Sequence, residues 1–63
     1  MNCQVCFENY NDKDNQPYAI IPCGHTFCKL CLESLKERKC PKCRREISEK
    51  IVNYAILDVL EYL

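Results

Sequence analysis

A small α+β domain held together by metal is the fold class this sequence predicts, and three observations carry that prediction. The chain has 63 residues, too few to bury an apolar core that offsets chain entropy unaided. It carries seven cysteines and one histidine, and six of the cysteines fall into three Cys-x-x-Cys pairs, a spacing that lets two thiolates share one ion. A short β-prone run and two stretches free of Gly and Pro supply the strand and helices around them.

Disulfides are the competing staple, and the residues argue against them. Seven cysteines would leave one thiol over. The opening Met1-Asn2-Cys3-Gln4 has neither a basic region nor an apolar run, so no secretory leader is expected. Metal ligation keeps the thiols reduced, which predicts a cytoplasmic or nuclear setting. Formal net charge is zero, so seven thiolates against the four positive charges of two Zn2+ ions leave the domain at about −3. That balance argues against a general nucleic-acid or membrane binder, and no stretch reaches membrane-spanning length.

Residues 7 to 17 are polar and rich in Asn and Asp, which reads as a surface loop. Tyr18 to Ile21 is β-prone and stops at Pro22, as an edge strand would. Thr26 and Phe27 pair back onto it across the turn Cys23-Gly24-His25. Lys29 to Lys39 reads as a helix of about three turns. Pro41 stiffens the last Cys-x-x-Cys turn.

A second helix is expected over residues 49 to 63, with Ser48 or Asn53 as its N-cap. The sequence thus divides into a zinc-binding unit over residues 1–47 and a flanking helix over 48–63. On a helical projection Ile51, Val52, Ala55, Ile56, Val59, Leu60, Tyr62 and Leu63 cover about half the circumference. The domain's own body accounts for Ile51, Val52 and Ile56. The distal turns are expected to meet a second copy, in a dimer through residues 51–63, or sequence beyond Leu63.

The ligand series runs Cys3, Cys6, Cys23, His25, Cys28, Cys31, Cys40, Cys43. Eight donors fill two tetrahedral sites with none missing and no cysteine spare, so the expected cofactor is two Zn2+. Closed four-ligand sites hold a structural ion that activates no water, and no thiol is left over as a nucleophile. The spacing is compatible with sequential as well as interleaved pairing of the ligands.

With its histidine fourth, and with the stretch Ile21-Pro22-Cys23-Gly24-His25-Thr26-Phe27-Cys28-Lys29-Leu30-Cys31-Leu32-Glu33, the chain resembles the RING finger family over residues 3 to 47. A PHD finger would place its histidine fifth and usually add a tryptophan, and this chain has none; a FYVE domain would carry a basic, histidine-rich motif. The resemblance implies a cross-braced fold with a short β-hairpin, one central helix and a C-terminal helix. Cys3, Cys6, Cys28 and Cys31 would hold one zinc, and Cys23, His25, Cys40 and Cys43 the other.

The resemblance also implies a function. Many RING domains are ubiquitin ligases that bind a ubiquitin-charged conjugating enzyme and orient its thioester for transfer to a substrate lysine, with no covalent intermediate on the RING. Carried over position by position, Val5, Leu35 and Pro41 would dock the conjugating enzyme. Arg44 would be the cationic linchpin that hydrogen-bonds enzyme and ubiquitin together. Each has a plainer reading: knuckle packing for Val5, core for Leu35, a stiff turn for Pro41, a solvated surface arginine for Arg44. The run Lys36 to Arg45 holds six basic residues and one acidic, and balancing excess thiolate charge explains it without a further partner. A RING used only for homo- or heterodimeric assembly is the alternative function.

Overall fold

The computed structural model describes residues 1–62. Its element order is β1 (Pro17–Ile21), β2 (Thr26–Cys28), α1 (Lys29–Glu33), β3 (Glu49–Val52) and α2 (Tyr54–Glu61). The three strands form one antiparallel sheet in the order β2-β1-β3. In β1, Tyr18 pairs with Phe27 on one side and Val52 on the other. The expected hairpin is present, but β1 is the central strand, not an edge. Pro17 is tolerated there because it is the first residue of the strand; its carbonyl accepts the Asn53 amide at 2.7 Å. At the hairpin, Gly24 takes φ +81° and donates its amide to the Ile20 carbonyl at 2.7 Å, the left-handed turn residue that aims Cys23 and His25 to one side.

The central helix is half the predicted length. It ends at Glu33, where Ser34 closes the last turn: its amide donates to the Leu30 carbonyl and its hydroxyl to the Cys31 carbonyl at 2.9 Å. Beyond it, the backbone of residues 38 to 40 is committed elsewhere. Lys39 bridges Glu46, the Ile47 amide donates to the Arg38 carbonyl, and the Cys40 amide donates to the Arg45 carbonyl. A helix running to Lys39 would forfeit all three.

The predicted second helix also begins late. Residues 49 to 52 are β3, led into the sheet by the Ser48 amide donating to the Ile21 carbonyl at 2.9 Å. β-branched Ile51 and Val52 suit a strand. Asn53, not Ser48, is the N-cap: its side-chain oxygen accepts the Ile56 amide at 3.2 Å. Of the predicted apolar arc, Ile56 and Leu60 pack against the core, whereas Ile51 is exposed, because a strand alternates faces and turns it away. Ala55, Val59 and Tyr62 are exposed, and Leu63 lies outside the described residues.

The core is small. Tyr10, Pro17, Ile20, Phe27 and Leu32 are buried together with Cys3, Cys28 and Cys40, so three of the eight buried residues among those described are metal-ligand candidates. Packing and ligation are therefore one structure here.

Candidate metal centre

Each end of the ligand series is built on the same backbone turn. In the first, the Cys3 amide donates to the Glu8 carbonyl, the Phe7 amide to the Cys3 carbonyl at 2.8 Å and the Val5 amide to Cys3 Sγ at 3.4 Å. In the second, the Cys40 amide donates to the Arg45 carbonyl, the Arg44 amide to the Cys40 carbonyl at 2.9 Å and the Lys42 amide to Cys40 Sγ at 3.4 Å. Short bridges, Asn2 with Asn9 and Lys39 with Glu46, close the two turns. These are twin zinc knuckles: the tight turn aims both thiols to one side, and its amides point at the sulfur that will carry charge.

The central ligands come from the sheet and α1. Cys23 and His25 flank the Gly24 turn, Cys28 ends β2 as the N-cap of α1, and Cys31 sits one helical turn on, its amide donating to Cys28 Sγ at 3.4 Å. The donor atoms gather into two groups, Cys3-Cys6-Cys28-Cys31 and Cys23-His25-Cys40-Cys43, each with all its atoms within 4.8 Å of one another. The pairing left open by the spacing is thereby settled as interleaved: the first knuckle shares an ion with the third ligand pair, and the second pair with the last.

The edges of these groups fit zinc. Tetrahedral Zn–S bonds of about 2.3 Å put sulfurs roughly 3.8 Å apart. Cys3 and Cys31 Sγ are 3.8 Å apart, and Cys6 and Cys28 Sγ 3.6 Å. His25 turns Nδ1 toward its group, 3.3 Å from Cys40 Sγ, which makes Nδ1 the donor nitrogen. Without a cation the thiols of each group oppose one another. Burial disfavours the Cys3 thiolate, yet amides of its knuckle and of Cys28 outweigh burial and bring its pKa down to about 7. Cys40 follows the same logic, down to about 6. Burial and their neighbours push Cys23, Cys28 and Cys31 up. A divalent cation would offset what opposes ionisation of Cys23, Cys28 and Cys31.

Residues 2–45 match the zinc-RING finger domain family. The chain belongs to the RING finger family. Its curated relatives include an uncharacterised RING finger protein of Schizosaccharomyces pombe, 35% identical over 57 residues, covering 87% of this chain and 8% of the relative. The E3 ubiquitin-protein ligase RNF149 of Xenopus laevis is 42% identical over 48 residues, covering 73% and 12%. The human E3 ubiquitin-protein ligase SH3RF2 is 40% identical over 55 residues, covering 81% and 7%. The chain thus spans about a tenth of the length of these relatives. No solved structure matches the chain.

In this RING finger, Leu35, Pro41 and Arg44 line one shallow depression of about 210 Å³, with Glu37, Lys39 and Cys40. Val5 does not line it; it stands at the tip of the first knuckle, 45% exposed. Arg44 is exposed and holds φ +68° at the end of its knuckle.

Two residues that brace the site were not singled out for that role in the sequence. Tyr10, in the polar loop, is buried behind the first cage and donates its hydroxyl to the Thr26 carbonyl at 3.2 Å. Burial and the adjacent cysteines raise its phenol to about 12. Asn53, besides capping α2, donates its side-chain amide to Thr26 Oγ1 at 3.0 Å, tying α2 to the hairpin. The signal for Tyr10 was one of two aromatics, with Phe7, in a polar run; for the Asn53 tie there was none.

Proposed function

We propose that this RING finger acts as a ubiquitin ligase domain, recruiting a ubiquitin-charged conjugating enzyme and promoting transfer to a substrate lysine. The observation that carries the reading is the depression that gathers Leu35, Pro41 and Arg44 beside the second cage. Leu35 and Pro41 give a small apolar floor suited to a weak, transient partner. Arg44 projects from a rigid knuckle, and its planar guanidinium can donate to carbonyls of two proteins at once. Val5 extends the docking surface on the first knuckle. Relatives named E3 ubiquitin-protein ligases support the same reading. The domain's contribution is orientation: holding a thioester in a reactive pose converts part of its lost freedom into rate. A cytoplasmic or nuclear setting belongs to the same proposal, since thiols committed to metal suit a reducing compartment.

The deciding experiment is single-turnover discharge of ubiquitin thioester from a panel of conjugating enzymes onto free lysine. Acceleration by the zinc-loaded domain with at least one enzyme is the expected result; no acceleration with any would overturn the reading. A second reading, assembly without transfer, is favoured by the exposed Tyr54, Val59 and Tyr62 on α2, which a second copy would cover. Discharge by a partner RING, but never by this one, would select it.

A further inference from the structure

A recess of about 270 Å³ is walled by the segment that follows α1 and by β3, and none of the eight ligands lines it. Its floor is apolar. Ile20 of β1 and Leu32 of α1 are buried there, beside the half-buried Leu35 and Ile47. Two cations, Arg38 and Lys50, line it against a single acid, Glu37. Each cation is held in place by a neutral group. Arg38 donates from Nη2 to the Ser48 carbonyl at 3.2 Å, and the Lys50 ammonium stands 5.6 Å from the centre of the Tyr18 ring. Neither has a carboxylate partner among the described residues. Glu37 is engaged elsewhere, pairing at 3.8 Å with Lys39, which lies outside the recess. An apolar floor with two positioned, unneutralised cations is complementary to a ligand that is apolar and anionic at once.

We infer that this recess is a docking site for a segment of a partner protein that carries aliphatic side chains flanked by carboxylates. The aliphatic groups cover Ile20 and Ile47, and the carboxylates meet Arg38 and Lys50. The volume falls just short of the roughly 300–1,000 Å³ of ordinary small-molecule sites, and it suits one or two side chains of a protein segment. The inference does not rest on the ligase reading. Leu35 and Glu37 also line the depression beside the second cage, but Pro41 and Arg44 lie outside this recess.

The test titrates the zinc-loaded domain with a blocked hexapeptide, two leucines flanked on each side by two glutamates, and follows backbone amide chemical shifts. Saturable shifts centred on Leu35, Ile47 and Lys50 are expected. Exposed ion pairs are weak, so Arg38→Gln and Lys50→Gln should each cut affinity by up to about fivefold, with both zincs retained. Arg44→Ala should bind like the parent. Replacing the peptide's glutamates by glutamine, or its leucines by alanine, should weaken binding by at least about fivefold. These peptide exchanges are read on the parent domain, so they do not depend on any variant folding. An absence of shifts at millimolar peptide would overturn the inference, as would equal affinity for the glutamine peptide. Loss of binding in Arg44→Ala would seat the peptide in the other depression and overturn it too. Hexanoate binding as tightly as the peptide would replace the protein partner by a small acid.

Discussion

At the scale of single residues, the two cages put different demands on neighbouring positions. On the ligase reading proposed above, Arg44 is where a single change would cost most. Truncation to alanine removes the donor fork while leaving all eight ligands in place, so two zincs should remain bound. Losing a charge-assisted hydrogen bond is worth about 1.5–3 kcal/mol, so ubiquitin discharge should slow roughly 10- to 100-fold. Arg44→Lys keeps the charge without the fork and should fall between. Parent-like rates in Arg44→Ala would make it an ordinary surface arginine. Tyr10 offers a test independent of any partner. Its phenol is raised from 10.0 to about 12 by burial first and by the cysteines of the first cage second. The folded chain holds this proton more tightly than the unfolded one. The resulting stability is therefore complete below pH about 10 and is lost as pH rises toward about 12. An alkaline absorbance titration should show a late phenolate phase that Tyr10→Phe lacks; a curve identical in both proteins would contradict its burial.

At the scale of elements, Asn53 is the joint. Its backbone amide reaches the Pro17 carbonyl, its side-chain oxygen caps α2, and its side-chain amide reaches Thr26. One residue thus fastens α2 to two strands. Asn53→Ala should lower stability by about 1–2 kcal/mol through the cap, and more through the Thr26 tie. Asn53→Asp keeps the cap oxygen and loses the donor, so its melting temperature should lie between parent and alanine. Equal melting for all three would mean α2 adds nothing to the fold. The same joint shows where sequence reading stops. Ligand identity was legible because zinc demands particular residue types at short intervals, and Cys3 to Cys43 satisfy that demand locally. The boundaries of α1, β3 and α2 were not, because they depend on pairing across the chain. Lys39 leaves a helix-compatible stretch for a bridge to Glu46. Ile51 and Val52 fit the period of a helix until β1 is present to pair with them. Interleaving was likewise undecidable from spacing, since it is set by the hairpin that brings the second ligand pair to the last.

Across the whole molecule, the two cages hold one another. Only two residues, Thr26 and Phe27 of β2, separate Cys28 of the first cage from His25 of the second along the chain. Losing the second cage would free residues 38 to 48, and with them the Ser48 contact that leads β3 onto β1. Structural zinc is worth roughly 10–16 kcal/mol per site, far more than any one of the buried non-ligand side chains in the core, at about 1.5–3 kcal/mol each. His25→Ala should therefore lower zinc content at both sites, and its circular dichroism should resemble that of the parent treated with chelator. Sequentially independent sites would behave otherwise: the variant would retain one ion, and the hairpin amides would keep their slow hydrogen exchange. Zinc analysis together with amide exchange on His25→Ala separates the two cases. One tightly held ion with protected amides in β1 and β2 would mean that the cages are not coupled.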